Sequence, residues 1–224
     1  PLLRGERPTV LCMLPTALIR LVSDGHGQAD DFSSLRLVRA GADKVPTELE
    51  HQFFDLTGIH IDEGYGMTEC GLALLNPVRG PIIAGSVGRP IPGVEMEVRD
   101  DEGQVAPVGT DGNVFIRTPA IMSGYWADPE ATAKTIVDGW LDSGDLMRVD
   151  ADGNFWFRGR RKQIIVHDGS NIFPQEVEDS LISHPDVVVA GVVGIEDLVH
   201  GENVRAYVVC QPGATAKSAD LIAF

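Results

Sequence analysis

An acidic side chain between small residues is the first feature of this sequence that could do chemistry. Asp145 follows Ser143 and Gly144, and an exposed carboxylate in such a place can accept two hydrogen bonds from a sugar diol. A predicted hairpin turn and a short aromatic strand then lead to a cationic run from Arg158 to Lys162. Pro174 opens a helix, because proline suits the first helical position. Each piece alone fits a β-hairpin and a βα unit with ordinary surface charges, but here they occur together and in order.

A second group of such residues, 62–71, follows a predicted strand and reads DEGYGMTECG. Its glycines let the backbone come close to a ligand, and Tyr65 offers a ring face for stacking. Thr68 supplies a hydroxyl for phosphate, and Glu69 supplies a hard oxygen for magnesium. The segment is not the dinucleotide-binding fingerprint GxGxxG, which would need a glycine at position 69. A tight turn without any ligand stays open as the alternative.

The order of these motifs resembles the adenylate-forming superfamily of acyl-CoA synthetases, luciferases and peptide-synthetase adenylation domains. Its GW(L)xTGD motif stands here as residues 139–145, with Ser143 where threonine is usual, so that the hydroxyl is kept. Its GRxK motif stands at residues 159–162, and its GxNIxPxEIE-type loop stands at residues 169–178. The letters YGMTE at residues 65–69 match the superfamily's motif letter for letter.

The resemblance implies a site for ATP with Mg²⁺. In it Tyr65 lies against adenine, Thr68 lies at the phosphates, and Glu69 is the metal ligand, so Thr68 and Glu69 are the expected catalytic residues. Asp145 and Arg160 are expected to hold the ribose. The other nucleotide-binding positions that the resemblance implies in this segment are Glu63, Gly64, Gly66 and Met67.

Three further positions take their expected roles from the resemblance. The turn of Gly41, Ala42 and Asp43 is expected beside adenine and the acyl pocket, although many members carry proline where Asp43 stands. The loop at Gly169 is expected to swing in and border the CoA channel. Lys162 is the expected hinge of a mobile C-terminal domain, because a new lobe begins there without a Gly/Ser linker.

The first 85 residues carry the pattern of a βαβ unit. A strand at residues 35–38, a helix from Thr47 and a strand at residues 59–61 follow one another within about 30 residues. Thr47 and Glu50 are spaced as a capping box, and Gly58 can close the helix. Residues 8–22 are compatible with a strand followed by a helix, which periodicity alone does not settle. A parallel sheet that binds ligands outside the carboxyl ends of its strands is therefore expected.

From Gly85 the pattern changes to alternating strands, which predict a small antiparallel sheet or barrel ending at residues 155–157. Asp128 caps a short predicted helix. Asp150, Asp152 and Asn154 have the spacing of the first ligands of a calcium loop. The glycine falls at the fourth position and no distal Glu follows in register, which favours a hairpin turn. After Lys162 a small α+β lobe follows.

The expected fold class is therefore α/β, in three parts. Residues 1–85 form the end of a parallel βαβ subdomain, residues 86–160 a small antiparallel barrel-like subdomain, and residues 161–224 the start of a mobile α+β C-terminal lobe. Two parts that the resemblance implies are not among these residues. A phosphate loop with its lysine is expected upstream of Pro1, and a lysine that contacts the adenylate is expected beyond Phe224, so a fragment that is inactive alone is expected.

Composition excludes several classes of function. A formal charge of −15 argues against a nucleic-acid or anionic-membrane binder, because phosphate contacts need clustered Lys and Arg. Three widely spaced cysteines favour a reduced cytoplasmic setting. No apolar run is long enough to predict a membrane span, and no signal peptide is recognised. Six scattered histidines give zinc or hydrolase readings little support, and His167 and His200 are expected in exposed loops.

The sequence thus predicts part of an ATP-dependent carboxylic acid–CoA ligase. A carboxylate attacks the α-phosphate of ATP to give acyl-AMP and pyrophosphate, and the thiol of CoA then displaces AMP. Such chemistry depends mostly on positioning and charge neutralisation. Two alternatives stay open: an adenylation domain that loads a carrier protein, which would use the same ATP residues, and a non-catalytic nucleotide-binding or interaction module.

Overall fold

The structure, a computed structural model, describes residues 2–23, 27–41, 44–77 and 80–224. Ala42 and Asp43, expected near adenine, lie outside the described residues. The chain has two compact units: Pro1–Ser143 with Met147–Phe157, and Gly144–Leu146 with Arg158–Phe224. The predicted three-part division at residues 85 and 160 stays a prediction. The α/β class is confirmed, since both units combine helices with sheets.

The first sheet of the first unit is parallel, in the order β1-β2-β3. Its strands are β1 (Val10–Met13), β2 (Leu37–Ala40) and β3 (Ile61–Glu63). Four helices accompany it: α1 (Leu2–Glu6), α2 (Pro15–Ser23), α3 (Ala29–Phe32) and α4 (Thr47–Thr57). The predicted βαβ unit is confirmed as β2, α4 and β3. Both predicted strands begin two residues later than expected, and residues 8–22 form a strand followed by a helix.

Helix α4 begins differently from the prediction. Its N-cap is Pro46, which offers no side-chain cap, so the predicted capping box between Thr47 and Glu50 is wrong. The Glu50 carboxylate is buried instead, where it accepts a hydrogen bond from the N–H of Ile61 at 2.8 Å and lies 2.6 Å from Nδ1 of His60. Glu50 therefore fastens the helix to the start of β3, a long-range contact that outweighs the local spacing signal.

The core beside this sheet forms around the predicted apolar face of α4. Leu49 and Phe53 are buried, Leu56 packs against the same cluster, and the ring of Phe53 meets Phe32 edge-on with centroids 5.5 Å apart. The helix ends as predicted at Gly58, whose φ of +70° suits a residue without a Cβ. This packing holds the carboxyl ends of the three parallel strands in place.

A second, antiparallel sheet follows directly after β3, in the order β4-β5-β6. Its strands are β4 (Tyr65–Met67), β5 (Gly71–Leu75) and β6 (Arg89–Pro90). The glycine-rich segment that the sequence suggests as a loop or tight turn is thus a β-hairpin, with Thr68, Glu69 and Cys70 at its tip. The difference arises because the glycines permit close strand pairing.

A third sheet has the order β11-β10-β8-β7, and β9 pairs with β10. Its strands are β7 (Glu95–Arg99), β8 (Asp111–Arg117), β9 (Ile136–Val137), β10 (Trp140–Val149) and β11 (Phe155–Arg160). The short helix α5 (Pro129–Thr135) lies between β8 and β9. The predicted cap of α5 is confirmed, since Asp128 accepts the N–H of Ala131 at 2.8 Å. Leu141, Ile116 and Met147 are fully buried in the core of this sheet.

The turn between β10 and β11 is organised by Asp150. Its carboxylate accepts hydrogen bonds from the Asn154 side chain, from Nε1 of Trp156 at 3.0 Å and from the backbone N–H groups of Asn154 and Asp152. Burial alone would raise the pKa of Asp150, but these hydrogen bonds outweigh it and lower the pKa to about 2. The predicted hairpin turn is confirmed, and the carboxylate serves that turn.

The second unit contains a four-stranded sheet in the order β13-β12-β15-β14. After a 3₁₀ turn at Arg161–Gln163 its elements are β12 (Ile165–His167), β13 (Ser170–Ile172), α6 (Pro174–Ile182), β14 (Val187–Asp197), β15 (Gly201–Cys210) and α7 (Ser218–Ala223). Its core cluster consists of Ile165, Leu181 and Val192 with partly buried neighbours. Within the described ranges no helix is both long and apolar enough to cross a membrane.

Candidate functional site

An open cavity of about 660 Å³ lies at the carboxyl ends of the parallel strands in the first unit. Five of the predicted nucleotide-binding residues line it: Gly41, Gly64, Gly66, Met67 and Thr68. The cavity has the size of a small-molecule site, and open α/β sheets bind ligands at this edge. Residues that are 27 positions apart in the sequence are therefore brought to one surface.

The hairpin of β4 and β5 lines this cavity with Gly66 and Gly71 as well as with Met67 and Leu72. A Cβ built at Gly66 would lie 2.4 Å from the carbonyl oxygen of Gly71 and 2.9 Å from the Cα of Leu72, so only glycine permits this strand spacing. The two strands pair in the register Gly66↔Leu72 and Met67↔Gly71. A ligand in the cavity would thus meet glycine backbone together with the side chains of Met67 and Leu72.

The tip of the hairpin presents a hydroxyl and a carboxylate in sequence. Thr68 is exposed and Glu69 is half-buried. Oε1 of Glu69 accepts a hydrogen bond of 3.0 Å from the hydroxyl of Tyr125. The backbone carbonyl of Glu69 accepts the N–H of Met122 at 2.7 Å. The segment at residues 122–125 therefore supports this carboxylate from the side.

Tyr125 is a site neighbour that the sequence reasoning missed. Desolvation first, and then the hydrogen bond to Glu69, raise the pKa of its hydroxyl, which therefore stays protonated and able to donate. Its contact with Glu69 joins residues 56 positions apart, which local patterns cannot show. The available signal was the Gly124-Tyr125-Trp126 run, an aromatic pair next to a glycine in a turn.

Two buried carboxylates stand directly before the hairpin, at the end of β3. Asp62 forms an ion pair with Arg39 on β2, at 2.5 Å, and accepts a hydrogen bond from the Asn76 side chain at 3.1 Å. Glu63, a predicted nucleotide-binding residue, accepts the N–H of Val45 at 3.1 Å. The Glu63 carboxylate thus ties Val45, just before α4, to the end of β3.

The ring of Tyr65, predicted to stack on adenine, is partly buried in the first unit. It packs against the core of the third sheet, and its nearest described aromatic partner is Phe157, with centroids 6.4 Å apart and planes tilted by 33°. Its neighbour Cys70 is buried, and desolvation raises the pKa of that thiol above its usual value. The thiol therefore behaves as a small apolar group.

In the second unit, Asp145 and Arg160 lie close together, but the Asp145 carboxylate, expected to be exposed, is buried. Nε of Arg160 is 3.4 Å from Oδ1 of Asp145. The Asp145 side chain is only 3% exposed, whereas that of Arg160 is 64% exposed. The pair thus combines a buried carboxylate with a cation that reaches solvent, and a ligand with a diol could meet both.

The predicted hinge, Lys162, is exposed in the 3₁₀ turn, four residues after the second unit resumes at Arg158. The side chain of Arg158 pairs with Glu176 and lies over the ring of Phe173, 5.7 Å from its centroid. These contacts fix the start of α6 within the second unit.

Gly169 is the second residue of a two-residue hairpin turn, with Asp168, between β12 and β13. Their φ angles are +49° for Asp168 and +76° for Gly169, as a type I′ turn requires. The predicted Gly/Ser/Asn loop is therefore corrected: residues 170–172 form strand β13. Nothing lies within 4 Å of a Cβ built at Gly169, so its backbone angle is what favours glycine there.

Comparison with known proteins adds the decisive observation. Residues 2–126 match the family model for the AMP-binding enzyme, and residues 176–224 match the model for the AMP-binding enzyme C-terminal domain. The chain belongs to the AMP-binding enzyme family. One match falls in each compact unit, and the adenylate-forming resemblance that the motifs suggested is thereby confirmed.

Individual relatives in the AMP-binding enzyme family cover nearly the whole chain. A long-chain-fatty-acid–CoA ligase of Bacillus subtilis (strain 168) is 36% identical over 98% of this chain and 40% of the ligase. The fatty acid–[acyl-carrier-protein] ligase ScoC of Streptomyces coeruleorubidus is 37% identical over 100% of this chain and 44% of its own length. This chain thus spans about two fifths of such relatives.

A solved structure shows the same fold. The crystal structure of ATP-bound MatB from Rhodopseudomonas palustris superposes with a TM-score of 0.94 at 32% identity, and the match covers 99% of this chain and 44% of that chain. At this level of similarity the arrangement of helices and sheets is shared.

Proposed function

We propose that the complete protein is an ATP-dependent acid–thiol ligase, which forms an acyl-adenylate and then an acyl-CoA. One observation carries the proposal: a cavity at the carboxyl ends of a parallel sheet, closed by a glycine hairpin that presents Thr68 next to Glu69. The names of the CoA ligase and ATP-bound relatives support it. The 224-residue chain alone is expected to be inactive, because the phosphate-loop and C-terminal lysines that the resemblance implies are not among its residues.

The first step needs a nucleotide held in line with a carboxylate. The backbone of Gly64 and Gly66 can approach the adenine, and Gly41 lines the same cavity. The hydroxyl of Thr68 would donate to the phosphates. The acid's oxygen then attacks the α-phosphorus, the bond to the β-phosphate breaks, and pyrophosphate leaves with the electron pair.

The donor set at the hairpin tip fits Mg²⁺. Mg²⁺ takes oxygen ligands and is commonly held by one or two carboxylates together with substrate phosphates and water. Glu69 offers such an oxygen, and the hydrogen bond from Tyr125 holds its carboxylate in place. A bound Mg²⁺ would neutralise charge on the leaving pyrophosphate.

Asp145 and Arg160 are proposed to bind the ribose. A buried carboxylate keeps its hydrogen bonds to a diol strong because water is largely excluded from it. Arg160, 3.4 Å away, would keep the carboxylate oriented. Both residues belong to the second unit, as do Gly169, proposed to border the thiol channel, and Lys162, proposed as the hinge.

The proposed acceptor is CoA, and a carrier protein is the second candidate. The resemblance to the acyl-carrier-protein ligase ScoC favours this second candidate specifically. Product analysis of the complete protein separates the two. With ATP, Mg²⁺, CoA and a panel of carboxylic acids, mass spectrometry should detect acyl-CoA and AMP. If acyl-AMP accumulates and only an added carrier protein is acylated, the CoA assignment is wrong.

A matched pair of variants tests the roles in the hairpin. Glu69→Gln removes the charge that would hold Mg²⁺ but keeps the size of the side chain, and we expect adenylation to need more Mg²⁺. Glu130→Gln, on the exposed face of α5, is the control and should leave the Mg²⁺ requirement unchanged. An unaltered requirement in Glu69→Gln would remove this residue from the metal site.

The hinge is tested by assaying the two half-reactions separately. Lys162→Pro fixes φ near −65° and removes an N–H, so it penalises any state that needs another φ. We expect thioester formation to be impaired while adenylation survives. Equal losses in both half-reactions, or a loss in neither, would make Lys162 an ordinary surface lysine.

A further inference from the structure

Two histidines that are far apart in the sequence meet in the second unit. His167 ends β12, and His200 precedes β15, whose Gly201 pairs with His167. Their rings are stacked with centroids 4.9 Å apart, and Asp168 lies between their nitrogens. Sequence spacing provides little support for a zinc site, because the histidines lack a local ligand pattern, and both were expected in loops. Strand pairing supplies the proximity that spacing did not show.

The tautomer of His167 follows from its contact with the backbone. Its Nδ1 lies 2.6 Å from the carbonyl oxygen of Glu202, and a carbonyl can only accept, so Nδ1 carries the hydrogen. In the neutral ring Nε2 then has a free lone pair. This atom lies 3.7 Å from Oδ2 of Asp168. A proton or a metal cation between these two atoms would stabilise the contact.

The separations of the ligand atoms suit a small cation. Zinc lies about 2.0–2.1 Å from nitrogen and oxygen ligands, so tetrahedral ligand atoms are about 3.3 Å apart. Oδ1 of Asp168 is 2.9 Å from Nδ1 of His200, and the candidate ligand atoms of the three residues all lie within 4.8 Å of one another. Small side-chain rotations would complete three corners of a tetrahedron, with solvent at the fourth.

Surrounding hydrogen bonds already orient the group. The N–H of Asp168 donates to the carbonyl of His200 at 3.0 Å, which ties the two turns together. Asp197 accepts the N–H of His200 at 2.8 Å and adds negative charge nearby. The hydrogen bond from His167 to the Glu202 carbonyl is the kind of outer contact that metal-bound histidines usually make.

We propose that His167, Asp168 and His200 form a binding site for a divalent transition-metal ion, with Zn²⁺ as the preferred occupant. Two imidazoles and one carboxylate are ligands that zinc accepts, and a fourth position open to solvent is typical of three-ligand sites. None of the three residues lines the proposed nucleotide cavity, and the inference does not depend on the proposed function. A bound ion would clamp the β12–β13 turn to the β14–β15 turn.

The test is zinc binding by the purified chain. The protein is freed of metals with EDTA, and the exposed thiols of Cys12 and Cys210 are alkylated so that they cannot bind zinc. ZnCl₂ is then titrated by calorimetry. We expect one ion per chain, and ring-nitrogen NMR resonances of His167 and His200 should shift on zinc addition.

Three variants complete this experiment. His200→Gln should lower the affinity about tenfold or more, since even outer contacts of a metal site change affinity by roughly 10–100-fold. Asp168→Asn should lower it similarly, and asparagine tolerates the left-handed backbone at this position. His51→Gln, at an exposed histidine on α4, is the control and should bind like the wild type. Absent binding in the wild type, or equal affinity in all four proteins, would overturn the proposal.

Discussion

The two compact units differ in how deeply they bury apolar side chains. The first unit contains two core clusters, with ten and nine buried members among the described residues. The described part of the second unit has one cluster with three buried members: Ile165, Leu181 and Val192. Its long strands β14 and β15 keep several apolar side chains exposed, among them Val189, Val193, Tyr207 and Val209.

This difference bears on how each set of candidate site residues is positioned. The hairpin with Thr68 and Glu69 stands on a core that resists local opening. Asp145, Arg160 and Gly169 belong to a unit with few buried contacts, and such regions open at lower free energy. Parts of a protein that move between two half-reactions usually have a low free energy of local opening. The contrast in packing is therefore consistent with a first unit that holds Thr68 and Glu69 rigidly and a second unit that moves between the two half-reactions.

The largest expected effect on stability comes from removing a buried aromatic ring from the core of the first unit. Phe53 is fully buried, and Phe53→Ala should cost about 3–5 kcal/mol of unfolding free energy through lost burial and a cavity. Its neighbour Phe54 is 39% exposed on the same helix, so Phe54→Ala should cost clearly less. Denaturant unfolding followed by tryptophan fluorescence measures both. Similar losses in the two variants would mean that this core is not tightly packed.

A smaller loss is expected in the second unit. Leu181→Ala should cost about 2–3 kcal/mol, near the lower end for such changes, because few buried neighbours surround the side chain. Hydrogen exchange read by mass spectrometry should accelerate in peptides from β12 and β14 and stay unchanged in peptides from β2 and β3. Acceleration throughout the chain would show that the two units open together, which would remove the contrast.

The smallest effect concerns the turn of Asp150 in the first unit. Its folded pKa of about 2 lies below the ordinary value of 3.8, so the carboxylate stabilises the fold above pH 4. This contribution is lost as the pH falls through the folded pKa. Asp150→Asn should therefore lower the Tm by about 2–4 °C at pH 7, a loss of about 1 kcal/mol. The difference in Tm between the variant and the wild type should shrink between pH 4 and pH 2. A constant difference would contradict the lowered pKa of Asp150.

Features with a local signal were predictable from the sequence, and those made by distant contacts were not. Asp128 before proline, the apolar face of α4 and Gly58 after it each act within one or two helical turns. Glu50 has the spacing of a capping residue, yet its carboxylate bonds to Ile61, eleven positions away. Local spacing could not show that the Glu50 carboxylate would bond to the backbone N–H of Ile61 and not to the start of its own helix.

The same distinction holds for the candidate site. Thr68 and Glu69 were predictable because their motif is contiguous, and the cavity that Thr68 lines follows from the parallel sheet. The contact of Tyr125 with Glu69 and the meeting of His167 with His200 depend on folding across 56 and 33 positions. Such pairs leave no periodic pattern or motif spacing in the sequence. Their proximity is seen only in the folded chain.

Acid-dependent exchange of pyrophosphate into ATP, measured with the complete protein, tests the central claim most directly. With Mg²⁺ and a suitable carboxylic acid, labelled pyrophosphate should enter ATP without any CoA, because adenylation is reversible. Asp145→Asn should raise the KM for ATP about tenfold, since charge-assisted hydrogen bonds of about 1.5–3 kcal/mol each are weakened. Asp152→Asn, in an exposed turn, should leave it unchanged. No exchange with any acid of a broad panel, or exchange that needs no acid, would contradict an adenylate-forming ligase.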